Sequence, residues 1–75
     1  MKEYEIVCKY LNGCSGEAYP QISFEEAVLS DTDDYIREKH GINFEKFTKE
    51  LLPSSQTLYR FSNGAVTYIY EFTLL

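Results

Sequence analysis

The sequence predicts an α+β fold: a small antiparallel sheet of three or four strands with two helices packed on one face, in the order β-(β)-α-α-β-β. Three observations carry this. Residues 2–11 alternate between two faces, residues 31–53 change to a helical period between capping residues, and Asn63-Gly64 separates two further alternating runs. Seventy-five residues suit a single compact domain over 1–75. So short a chain buries a modest share of its surface, and its seven Tyr and five Phe suit a thin core because each ring covers a large area.

The first strand places Tyr4, Ile6, Cys8 and Tyr10 on one side and Glu3, Glu5, Val7 and Lys9 on the other, a period of two. Asn12-Gly13-Cys14-Ser15-Gly16 ends it with turn formers. Residues 18–29 admit two readings. Ile22, Phe24 and Val28 suit a second strand with Pro20 at its edge, whereas Ser23-Phe24-Glu25-Glu26 matches a capping box opening a helix. The strand is preferred, because the break at Ser30-Asp31-Thr32 would leave the helix less than two turns.

A helix follows, capped by Asp31 or Thr32, with Asp33 and Asp34 in its first turn, Lys39 and His40 in its last, and Gly41 after it; each charge suits the helix dipole. Asn43 is expected to cap a second helix, since Phe44, Phe47, Thr48 and Leu51 form one stripe. Glu45–Lys49 and Lys46–Glu50 are i,i+4 pairs, and Pro53 closes the segment. In the C-terminal hairpin, Asn63-Gly64 predicts a type I′ turn pairing Phe61 with Val66, Tyr59 with Tyr68 and Thr57 with Tyr70. These residues and Phe72 would share a face, with Leu58, Arg60, Thr67, Ile69 and Glu71 on the other.

Several chemistries lack their residues. Cys8 and Cys14 are too far apart for a zinc knuckle, and His40 is the only His, so no metal or cofactor is expected. Asp31, Asp33 and Asp34 resemble the start of a calcium loop, but Ile36 and Ile42 occupy its glycine and bidentate-glutamate positions. The loop 13–16 has no phosphate-binding Lys, and Cys14 with His40 lacks a third orienting group, so no enzyme is expected. A tyrosine platform for bases would need basic surroundings, and the hairpin offers Arg60 against Glu71. The N-terminus lacks an apolar run of signal-peptide length and no later run would span a bilayer. The expectation is a cytoplasmic protein without membrane contact, with both cysteines as thiols.

Charge is unevenly placed. Residues 25–38 hold Glu25, Glu26, Asp31, Asp33, Asp34 and Glu38 against Arg37, a net of −5, while the rest of the chain balances six acids with six bases. A solvated helix face accounts for part of this. As a site, the segment suggests docking on a protein partner with a basic surface and disfavours direct nucleic-acid binding. The expected function is a non-catalytic protein-binding module, in the sharpest form a small acidic inhibitor that mimics nucleic acid, as a phage anti-defence protein would. The alternatives are an assembly module that homodimerises through a sheet edge, and a thiol-dependent enzyme built on Cys14 and His40.

Overall fold

The computed structural model describes residues 1–12, 21–64 and 66–75. Along them run β1 (Lys2–Asn12), β2 (Gln21–Leu29), α1 (Thr32–His40), a 3₁₀ segment (Gly41–Lys46), β3 (Thr48–Leu52), β4 (Gln56–Asn63) and β5 (Val66–Leu74). The strands form one antiparallel sheet ordered β2-β1-β5-β4-β3. Antiparallel pairing of β1 with β5 joins the N-terminal β1–β2 pair to the β3–β4–β5 meander. The helical segments carry the chain from the β2 edge to the β3 edge across one face. The expected turn at 13–16, Cys14, Pro20 and the start of the 18–29 stretch lie outside the described residues.

The core lies between that face and α1. Ile6 of β1, Tyr59 and Phe61 of β4, Tyr70 and Phe72 of β5, and Tyr35 and Ile36 of α1 are its buried apolar residues. Alternation along each strand selects these side chains, and the rings meet edge to face: Tyr35 with Phe72 at 5.4 Å and Tyr59 with Phe72 at 5.4 Å between centroids. Of the four β1 residues expected on one face, Tyr4, Ile6 and Cys8 pack into or against this cluster, and Tyr10 lies beside Tyr68 at 5.1 Å between centroids.

Helix α1 follows its local signals. Asp31 is the N-cap in extended conformation, its Oδ1 accepting from the backbone N–H of Asp33 at 3.0 Å. Gly41 closes the helix at φ +57°, where a side chain would be strained, and its N–H donates to the Arg37 carbonyl.

The predicted architecture of two helices on three or four strands is corrected here: one α-helix lies on five strands. Residues 21–29 are a strand, as preferred above. The second helix does not form. After Gly41 the chain makes a 3₁₀ segment, Phe47 is extended, and residues 48–52 become β3, paired with β4 from Thr48↔Arg60 to Leu52↔Gln56. Two exposed i,i+4 pairs offer a helix only ~0.2–0.5 kcal/mol each. Pairing with β4 satisfies backbone groups that would otherwise stand at a bare sheet edge. The expected apolar stripe is thereby divided. Phe47 packs on Phe61 at 5.1 Å, whereas Leu51 is 74% exposed. Pro53 begins a three-residue connection in which Ser54 and Ser55 both have positive φ, 69° and 62°.

The C-terminal hairpin forms, with its register corrected by two residues. Asn63 pairs with Val66, Phe61 with Tyr68, Tyr59 with Tyr70 and Thr57 with Phe72. Gly64, at φ +60°, is therefore the first residue of the two-residue connection rather than the second. Type I′ and II′ turns both require positive φ at that first position. A two-residue slip preserves every side chain's face, so Tyr59, Phe61, Tyr68, Tyr70 and Phe72 still point toward the helix.

Candidate binding surface

Register and helix placement divide the six acidic residues among three locations. Residues of opposite parity on β2 point to opposite faces, so Glu25 lies on the helix side and Glu26 on the open side. Asp31, Asp33 and Asp34 gather at the start of α1, and Glu38 lies one turn beyond Asp34.

Glu25 and Glu38 come together. They line one open groove of about 400 Å³ between β2 and α1 with Ala27, Leu29, Tyr35 and Lys39. Tyr35 Oη donates to Glu25 Oε2 at 3.2 Å. Burial, and then the Glu25 charge and its hydrogen bond, push the Tyr35 phenol well above its ordinary pKa, so it remains a donor. Lys39 Nζ lies 5.0 Å from the centroid of the Tyr35 ring. The groove therefore has an apolar floor, carboxylates on both sides, and a cation already resting on its aromatic member.

Asp33 has a structural role. Its Oδ1 accepts from the Tyr59 hydroxyl and pairs with Lys49 Nζ at 3.1 Å, while Tyr59 Oη shares a 2.8 Å hydrogen bond with buried Thr32 Oγ1. Burial pushes the Asp33 carboxyl up, but the hydrogen bonds from Tyr59 and Lys49 and the charges of Lys49 and Arg37 together hold it below its ordinary value. Reversing Asp33 would thus disturb the fold as well as any docking. Asp31 serves as the cap, and Asp34 pairs with Arg37 at 3.2 Å on the surface.

Glu26 acquires a neighbour that sequence reading missed. The β1–β2 register sets Glu5 directly opposite it on the open face, and this like-charge pair has Phe24, 73% exposed, beside it. Like charges directly opposite each other destabilise a strand pair. Glu5 lies twenty residues from the acidic segment, and its signal was latent in the hairpin register alone.

His40 is a packed core-edge residue. Its Nε2 shares a 2.7 Å hydrogen bond with Tyr70 Oη, and its ring packs against Phe47 and Tyr68, each at 4.8 Å. Burial, and secondarily the Lys39 charge, lower its pKa. Cys8 is a half-buried free thiol on β1, and Cys14 lies outside the described residues. Among the described residues, no group of three or more His, Cys, Asp or Glu is placed to hold a metal ion. No described helix is long and apolar enough to cross a membrane.

No family model, curated protein or solved structure matches the chain.

Proposed function

We propose that the chain is a non-catalytic protein-binding module whose groove between β2 and α1 takes a basic segment of a partner protein. One observation carries the reading: Glu25 and Glu38 line a single groove over the apolar surface of Ala27, Leu29 and Tyr35. Apolar contact supplies affinity there, while the flanking carboxylates steer and orient a Lys- or Arg-bearing chain. The surrounding charge supports it. Residues 21–40 carry six acids against Arg37 and Lys39, whereas residues 41–75 balance three acids with three bases. A nucleic-acid-handling protein fits this description, since clustered carboxylates stand in for phosphates on its basic surface. In that setting the chain acts in the cytoplasm as an inhibitor, of the kind a phage deploys against a bacterial defence nuclease.

The test compares wild type with Glu25→Lys/Glu38→Lys as bait in host lysate. Wild type should retain a basic protein at low salt and release it as salt rises. The doubly reversed chain, with an unchanged circular dichroism spectrum, should not retain it, and its association rate with the purified partner should fall by ~10-fold or more. Equal capture by the folded variant would refute the groove as the docking site.

A further inference from the structure

Strand β2 is an edge of the sheet: its nine residues pair with β1, and no described strand lies on its other side. Register shows which of its backbone groups are free. The Leu75 N–H donates to the Glu3 carbonyl at 2.9 Å, in line with the β1–β5 pairing of Tyr4↔Leu74. In an antiparallel ladder, alternate residues turn both backbone groups to the same neighbour, so odd residues of β1 bond to β5 and even ones to β2. The pairs Tyr4↔Ala27 and Ile6↔Glu25 then commit the odd residues of β2 to β1. The N–H and C=O groups of Ile22, Phe24, Glu26 and Val28 point away from the sheet, ready to bond another strand.

Two hollows flank this edge and meet at Glu25. On the helix side lies the groove of Glu25, Ala27, Leu29, Tyr35 and Glu38. On the open side, three carboxylates (Glu5, Glu25 and Glu26) and Phe24 line a second hollow of about 370 Å³.

We propose that the partner's basic segment binds as an extended strand, antiparallel along the free edge of β2, with two adjacent basic residues facing Glu26 and Glu25. The proposal rests on the groove reading above and adds the conformation and motif of what is bound. Side chains of an added strand alternate between faces in step with β2, so neighbouring residues reach the two hollows together. Both hollows call for a cation. The helix side holds Glu25 and Glu38 against Lys39, and on the open side the ladder sets Glu5 directly opposite Glu26. A basic residue beyond Glu26 relieves that like-charge pair. Apolar residues on either side of the basic pair meet Phe24, 73% exposed, and Val28, 59% exposed. A second copy of the chain is a poor occupant, because antiparallel pairing over the full length of β2 sets Glu25 opposite itself.

Amide exchange followed by NMR on the full chain tests the proposal. The probe is the acetylated and amidated octapeptide Thr-Val-Leu-Arg-Lys-Val-Thr-Val, whose Arg and Lys are placed to face Glu26 and Glu25. With the peptide bound, the outward amides of Phe24 and Glu26 should exchange ~10-fold or more slowly, while those of Glu25 and Ala27, already bonded to β1, change little. N-methylation of the peptide's Arg and of the Val after its Lys, whose N–H groups face β2, should weaken binding ~10-fold or more. N-methylation of its Leu and Lys, whose N–H groups face away, should leave binding within about 3-fold of the parent. Glu26→Lys, at an exposed position, should also weaken binding ~10-fold or more. A peptide whose binding Glu38→Lys weakens, but which leaves Phe24 and Glu26 exchanging as in the free chain, would overturn strand addition and leave the groove reading standing. No binding at ~1 mM peptide, or equal loss from the two methylation patterns, would overturn strand addition as well. Capture by Glu25→Lys/Glu38→Lys decides the groove separately.

Discussion

Tyr59→Phe isolates the polar link between sheet and helix. The Tyr59 ring is buried, at 1% exposure, and packs on Phe72, so removing one oxygen leaves the ring contacts in place. Its hydroxyl donates to Asp33 and shares a 2.8 Å bond with Thr32 Oγ1. Deleting it removes one hydrogen bond to a charged acceptor, worth ~1.5–3 kcal/mol, and leaves the buried Thr32 hydroxyl needing a new partner. Lys49 stays beside Asp33 and the carboxylate retains some solvent access, which limits the loss. The expected destabilisation is therefore ~2 kcal/mol at pH 7, which in a domain of this size lowers Tm by roughly 8–16 °C. The effect should depend on pH. Asp33 has a lowered pKa in the fold, so its contribution is present above its ordinary value of 3.8 and fades as pH falls through the folded value. Urea melts followed by circular dichroism at neutral and at strongly acid pH measure both quantities. A loss below ~0.5 kcal/mol at pH 7, or a loss that does not shrink in acid, would refute the reasoning.

Two further outcomes follow from particular residues. Ser55→Gly should raise stability by ~0.5–1 kcal/mol, since Ser55 holds φ 62° and the relief of left-handed strain exceeds the added chain entropy; a lower Tm would show that the serine side chain anchors the turn. His40 is the only histidine, and its lowered pKa means that the fold favours the neutral ring. Its stabilisation is thus full above the ordinary value of 6.5 and falls as pH drops through the folded pKa, so stability should decline from pH 7 toward 5. In His40→Gln that decline should flatten, and an equal slope in both proteins would assign it to other groups.

Much of the molecule was legible in local chemistry. The alternation of Tyr4, Ile6, Cys8 and Tyr10 determined β1 and its inward face, and the cap candidates Asp31 and Thr32 with Gly41 bracketed α1, of which the structure uses Asp31, because caps and periodicity act over a few residues. The inward set of Tyr59, Phe61, Tyr68, Tyr70 and Phe72 also survived a two-residue error in register, since strand faces repeat every two residues. That same periodicity is why the hydrophobic pattern could not reveal the register.

Tertiary structure decided what depends on distant partners. Residues 44–51 carry a helical stripe and two favourable charge pairs, yet 48–52 are a strand because β4 offers five residues of backbone pairing. The acidic segment, continuous in sequence, was divided by the same kind of contact. Strand parity put Glu25 and Glu26 on opposite faces, Tyr59 and Lys49 drew Asp33 into the fold, and pairing with β1 brought Glu5 to Glu26. Charge along a chain states how much repulsion must be accommodated. Where each carboxylate points, and which cation or hydroxyl meets it, is fixed only when the sheet closes and α1 packs across it.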